Sequence, residues 1–303
     1  MGCGTFTSKD WNNYTATRGI TRHSTHTSIY RSSSMKDSLN PKGVKYRESC
    51  DSNDHPNSTP IILGLDVTGS MGDLAATIAK ESLHTLMTEL YDKQPVSDPH
   101  VMFMAIGDAY CDSAPLQVSQ FEADIRIAEQ LTDIYFEGCG GGNGGESYLL
   151  AWYFAAKHTK IDSFEKHGRK GFLFTIGDEP NHSKLTVDQV KRIFGDDIEA
   201  DLTADKLLTE VSRQYEVFHL VVKDGEYRYS SVTKWKRLLS ERAMEVTDYK
   251  KIPEIIESTL EILNGRDIAT VTAQWDGNTS MVVKNAVKDL TTIDDSKELV
   301  EFN

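Results

Sequence analysis

Residues 61–72 read IILGLDVTGSMG, and this run decides how the chain folds. Five apolar or small residues lead into Asp66, and Thr68 and Ser70 follow at alternate positions before Met71 and Gly72. An aliphatic run ending in a carboxylate reads as a buried parallel strand whose carboxyl end delivers Asp66 to a site. A helical pattern starts at about Gly72, so one carboxylate and two hydroxyls converge on a strand tip beside a helix start. Oxygen donors alone, too few to fill a coordination sphere, make a hard-cation site that suits Mg²⁺, with Mn²⁺ or Ca²⁺ as alternatives. A carboxylate after five buried residues is costly unless paired or metal-bound, and the motif holds no basic residue to pair with Asp66.

Asp66-x-Thr68-x-Ser70 with its Met71-Gly72 ending resembles the metal-ion-dependent adhesion site of von Willebrand factor A domains, in the form where Thr replaces the first Ser. The resemblance covers residues 60–264 and neither end of the chain. It implies an α/β fold, a doubly wound and mostly parallel Rossmann-like sheet flanked by helices. In that family the metal sits at the carboxyl ends of the strands and lacks a ligand until a partner protein supplies a Glu or Asp. Intracellular bacterial and phage members often assemble with other proteins, frequently ATPases of the AAA+ class.

Working outward, apolar runs and helical patterns alternate from residue 60 onward, which signals a parallel sheet. Strands are expected at 60–66, 101–106, 171–176, 216–222 and 243–246, with a short edge strand within 116–121. Helices are expected over 72–92, 122–131, 147–158, 186–194, 203–214, 232–241 and 252–264. Residues 1–59 form an arm rich in Ser, Thr and Asn, too poor in aliphatics to fold alone. Phe6, Trp11, Tyr14, Tyr30 and Tyr46 punctuate it. The arm is either a disordered tail or a segment whose aromatics anchor it on its own body or on a neighbouring subunit. Residues 265–303 form a tail with enough apolar character to dock on the body.

Of the 303 residues 39% are hydrophobic, enough for a buried core. No apolar stretch approaches the ~20 residues of a membrane span, and no signal segment opens the chain, so a cytoplasmic protein without membrane contact is expected. Phe6 occupies the position where a myristoylation motif needs Ser or Thr. The four cysteines form no CxxC pair and the nine histidines no HExxH, so free thiols and no zinc site are expected. The net charge of −13 argues against nucleic acid as a partner. The arm carries eight Lys or Arg against five Asp or Glu, a net of +3, which leaves −16 on the remainder.

Ligands of doubly wound folds bind beyond the carboxyl ends of the strands, where three segments should meet: 66–70, 137–147 and 177–181. The loop from Glu137 to Ser147 contains six glycines, which lets backbone approach a ligand closely. It resembles the second adhesion-site loop, but the Thr of the family pattern is missing, so Asn143, Glu146 or Ser147 must take its place. The strand GFLFTI then delivers Asp178 in an Ile-Gly-Asp order, one residue later than the Thr-Asp-Gly of the family. The resemblance thus assigns Asp66, Thr68, Ser70, Glu146, Ser147 and Asp178 to the metal, with Asn143, Asp108 and Glu179 as further candidates. Asp108 and Asp73 suit supporting or capping roles.

The leading expectation is a binding protein, an adaptor that captures a partner carboxylate on an open metal, and not an enzyme. Two alternatives come from other classes. Asp-Val-Thr-Gly-Ser also resembles the aspartyl-phosphate motif of haloacid-dehalogenase-like phosphohydrolases. Asp66 would then be a nucleophile and Asp178 a Mg²⁺ ligand, with Lys170 or Lys157 stabilising phosphoryl charge. Against it, the helix at Gly72 leaves little room for the flap that class inserts there. The second alternative is a structural protein that self-assembles into homo-oligomers through its aromatic arm.

Overall fold

The computed structural model describes residues 4–137, 144–222 and 228–291, with Ser70, Ala79, Arg228 and Tyr229 described by backbone alone. Its strands are β1 (Arg47–Ser49), β2 (Thr59–Asp66), β3 (Pro99–Ile106), β4 (Leu116–Val118), β5 (Thr159–Ile161), β6 (Gly171–Gly177), β7 (Lys184–Leu185), β8 (Leu202–Thr203), β9 (Tyr215–Val222) and β10 (Ala243–Val246). Six of them form one sheet in the order β10-β9-β6-β2-β3-β4. All neighbours are parallel except β3 and β4, which pair antiparallel with Met104 opposite Val118. Numbered within the sheet from its β4 edge, the order is 3-2-1-4-5-6, that of a doubly wound α/β fold.

The sheet is buried on both faces, so its central strands carry continuous apolar runs rather than an alternation. Ile61, Leu63, Leu65, Phe103 and Phe174 face helices Leu83–Lys93 and Ile252–Leu263, while Ile62, Met102, Met104 and Leu173 face helix Leu149–Lys157. Gly64 makes room for side chains of the two neighbouring strands: a Cβ there would lie 2.9 Å from the Ile106 Cδ1 atom and 3.2 Å from the Thr175 Cγ2 atom, with Ala151 of that last helix in ordinary contact at 3.7 Å.

The helix expected over 72–92 is interrupted. It runs α-helically over Gly72–Thr77, widens into a π turn over Ile78–Ser82 and resumes over Leu83–Lys93. The structure also adds a short parallel pair, β1 with β5, that the polar composition of residues 47–49 conceals.

The arm lies against the body. Its helix Ser8–Arg18 is capped by the Thr7 side chain, which accepts from Asp10 N–H, and ends at Gly19 in the left-handed region (φ 68°). Phe6, Trp11, Tyr14 and Tyr30 are all buried in the cluster that includes Leu86 and Ile127. The Tyr14 hydroxyl donates to the carbonyl of Ala128 (3.0 Å) and that of Tyr30 to Ala75 (2.9 Å). Tyr46 departs from the expected set of anchors and stays 47% exposed. Beyond residue 264, helices Ile268–Ala273 and Gly277–Val287 contribute Val271, Val283 and Val287 to the same cluster and cover helix Ile252–Leu263, which is buried along its whole length.

Candidate functional site

Strands β2 and β6 are neighbours in the sheet, yet the chain leaves them toward opposite edges. This switch point opens a crevice at their carboxyl ends, and Asp66 and Asp178 stand there, the last residue of β2 and the first after β6.

Asp66 is 1% exposed. Its Oδ1 accepts from the Thr68 backbone N–H (2.9 Å) and the Thr68 hydroxyl (2.6 Å). Its Oδ2 accepts from the Tyr148 hydroxyl at 2.7 Å. Burial pushes its carboxyl up to about 7, the Thr68 and Tyr148 bonds pull the other way, and the charge of Asp178 adds to the rise. Asp178 itself is buried. Ser70 belongs to the turn Gly69–Met71, and its side chain lies outside the described atoms, as does the whole of Asn143.

The other wall of the crevice is the segment that follows the glycine-rich loop. Glu146 pairs with Asn181 in a one-residue parallel bridge, its N–H donating to the Pro180 carbonyl (2.9 Å). This bridge brings the loop against the residues after β6. Burial first, then the negative charges of Asp66, Asp108, Asp112 and Glu179, push the Glu146 carboxyl up to about 10. Glu179 is raised as well, by burial and by Asp178. Among the described residues, Glu146 Oε2, Glu179 Oε2 and Asn181 Oδ1 are buried oxygens without a hydrogen-bond donor.

Ser147 bonds the residues after β3. Its hydroxyl donates to Asp108 Oδ1 (3.3 Å) and accepts from Ala109 N–H (2.9 Å), which ties the loop to the end of β3. Asp108 is fully buried and also meets His182 Nε2 at 3.2 Å. Of the loop candidates, Glu146 therefore shares the field of Asp66, and Ser147 serves the Asp108 corner. Asp73 is exposed in the first turn of helix Gly72–Thr77.

Sequence reasoning missed Tyr148. An aromatic residue opening a buried helix reads as core, and this one is fully buried, but its hydroxyl reaches the carboxylate. It also missed His182 and Asp112, which brace Asp108; Asp112 Oδ2 accepts from Asp108 N–H at 2.6 Å. The lysines of the phosphohydrolase reading are elsewhere. Lys170 precedes β6 at its opposite end and pairs with Glu216 (3.3 Å). Lys157 pairs with Glu210 (2.6 Å) at the far end of the helix that follows Tyr148, about 13 Å along it at 1.5 Å per residue.

Does this donor set fit a hard divalent cation? Among the described residues no group of three or more His, Cys, Asp or Glu side chains is gathered as a ready-made metal site. A site of the expected kind needs fewer carboxylates, because hydroxyls share the work. The Asp66 carboxylate, the Thr68 hydroxyl and three buried oxygens lacking a donor supply oxygen ligands only, the chemistry Mg²⁺ takes. The residues fit.

No protein-family model and no curated protein sequence matches the chain. Solved structures similar to it include the pilus adhesin SpaC of Lactobacillus rhamnosus GG, at 10% identity over 83% of this chain and 33% of that one, with a TM-score of 0.42. Proximal thread matrix protein 1 of the mussel byssus is 9% identical over 67% of this chain and 45% of its own, with a TM-score of 0.43. A von Willebrand factor type A structure from Catenulispora acidiphila is 11% identical over 68% of this chain and 42% of its own, with a TM-score of 0.36. The chain thus spans less than half the length of each. At these values the likenesses add nothing to what the strand order establishes, a doubly wound α/β sheet of the Rossmann and von Willebrand factor A kind.

Proposed function

We propose that the chain is a protein-binding module whose switch-point crevice holds Mg²⁺ and uses it to capture a carboxylate from a partner protein. One observation carries the reading: Asp66 is buried at the switch point with its carboxylate fixed by Thr68 and Tyr148, and Glu146 on the other wall keeps a buried Oε2 without a donor among the described residues. A hard cation would offset the cost of burying such oxygens. Asp66, Thr68 and Ser70, with Glu146 or Asp178 as a second carboxylate, would hold the ion, which would supply a concentrated positive charge to an incoming Glu or Asp side chain. Around it the chain's own residues do the rest. Thr68 and Tyr148 fix the Asp66 carboxylate, and the Glu146–Asn181 bridge holds the loop against the residues after β6. An AAA+ ATPase is the partner class that the resemblance suggests.

For the arm-driven alternative, Phe6, Trp11, Tyr14 and Tyr30 are buried against their own body and Tyr46 is the exposed anchor. Among the described residues no helix is long and apolar enough to cross a membrane. The test is affinity capture from native lysate with wild-type and Asp66→Ala bait, each in Mg²⁺ and in EDTA. A partner retained by wild type in Mg²⁺ alone is expected. Captures indifferent to both metal and mutation would remove the reading.

A further inference from the structure

We propose that Tyr148 and Gly177 form a positioning pair for Asp66, in which the glycine admits the phenol and the phenol fixes the carboxylate that orients Thr68 toward a cation. The inference rests on the metal reading above and goes beyond the motif that suggested it.

Among the described residues Asp66 receives three hydrogen bonds, two from Thr68 and one from the Tyr148 hydroxyl at 2.7 Å. With both oxygens engaged, the carboxylate cannot rotate without breaking one. The Thr68 hydroxyl has a single proton, which it gives to Asp66 Oδ1, so only its lone pairs remain for a third group. A hydroxyl in that state is a ligand for a cation and no longer a donor.

Tyr148 is held as firmly as the group it holds. Its ring packs edge-on against His219 (centroids 4.9 Å apart, 78° between planes) and Trp235 (5.4 Å, 76°). His219 stacks on Trp235 at 3.6 Å and bonds Thr175 Oγ1 through Nδ1 at 2.8 Å. The Trp235 indole N–H donates to the Glu179 carbonyl at 3.0 Å, which ties this aromatic stack to the loop after β6.

Gly177 makes the contact possible. A Cβ there would overlap the Tyr148 hydroxyl and stand 2.9 Å from Asp66 Oδ2. Any other residue at 177 must displace the phenol or the end of β6. The Ile-Gly-Asp order thus acquires a physical reason: the place beside Asp66 is taken by the phenol, and the acid stands one residue later.

The experiment measures Mg²⁺ affinity by calorimetry and Mn²⁺ affinity by electron paramagnetic resonance, for wild type, Tyr148→Phe, Gly177→Ala and Tyr153→Phe. Tyr153 is the control, a hydroxyl on the same helix that donates to Asp196 at 2.7 Å, away from the site. Tyr148→Phe and Gly177→Ala should each bind about 10–100-fold more weakly, the usual cost of removing a group that orients a ligand, with Tyr153→Phe unchanged. Melting in EDTA shows that each variant is folded, and Gly177→Ala decides alone if Tyr148→Phe does not fold. Wild-type binding with Tyr148→Phe within about two-fold of it overturns the positioning role and leaves the metal reading standing. A wild type that binds neither cation removes the metal reading, and this inference with it.

Discussion

Two buried strand carboxylates, Asp66 and Glu216, stand at opposite ends of the same sheet and are satisfied in opposite ways. Glu216, in the second position of β9 and 4% exposed, meets Lys170 at 3.3 Å and the Arg242 guanidinium more closely still. Asp66, 1% exposed, meets hydroxyls and one backbone N–H, with Asp178 and Glu146 adding negative charge. At the amino end the chain brings its own cations. At the carboxyl end it gathers acids, with Lys234 acting on Glu179 among the described residues. A cavity of about 530 Å³ opens at the amino end, lined by Lys170, Arg169 and Glu216 among others. Volume alone would draw attention there, but its buried acid is already paired, whereas Glu146, Glu179 and Asn181 at the carboxyl end each keep a buried oxygen without a donor among the described residues.

The contrast can be broken most sharply by removing one acid at a time. Asp66→Ala should weaken Mg²⁺ binding by at least about 100-fold, as loss of a ligand does when loss of an orienting group already costs about 10–100-fold. Its melting midpoint in EDTA should change little, since relief of the acid's burial cost offsets the acceptor lost to the Thr68 and Tyr148 hydroxyls. Titration calorimetry and a thermal scan read both. Glu216→Gln should do the reverse, leaving cation affinity intact while destabilising by about 1–2 kcal/mol in urea unfolding. That figure sits below a fully buried pair because Lys170 and Arg242 are partly exposed. Equal effects of the two substitutions on stability in EDTA would erase the distinction.

A smaller effect follows from pH. The folded Asp66 holds its proton up to about 7, above the ordinary carboxylate value of 3.8, and Glu146 up to about 10, above 4.5. The unfolded chain releases these protons first, so in EDTA the stability they favour is present below pH 4 and lost as pH rises through 7 and toward 10. Saturating Mg²⁺ binds the deprotonated form and should flatten that decline, adding about 2.7 kcal/mol at a hundred times its dissociation constant. Urea unfolding at pH 5, 7 and 9, with and without Mg²⁺, measures the slope. A stability that rises with pH in EDTA would contradict the assignment.

Much of the fold was legible because both-face burial writes itself into sequence: IILGLD, VMFMAI and GFLFTI admit few readings other than central parallel strands. The carboxyl-end location of Asp66 and Asp178 followed from where those runs stop. What stayed hidden depends on contacts between distant residues. Tyr148 looks like any core aromatic until Gly177, 29 positions later, is seen to vacate the space its hydroxyl fills. The π turn at Ile78–Ser82 has no composition of its own. The arm's burial was open in the sequence because its aromatics suit an intramolecular or an intermolecular surface equally well. Tyr46, of the same type, stays exposed.

The most direct test of the central claim is a calorimetric Mg²⁺ titration of wild type and Asp66→Ala at pH 6.5 in two buffers of different ionisation enthalpy. Saturable one-site binding with proton release in wild type, and none in Asp66→Ala, is the predicted result, because Asp66 and Glu146 must lose protons to take the ion. Absence of binding in wild type, or equal binding in both proteins, would contradict it.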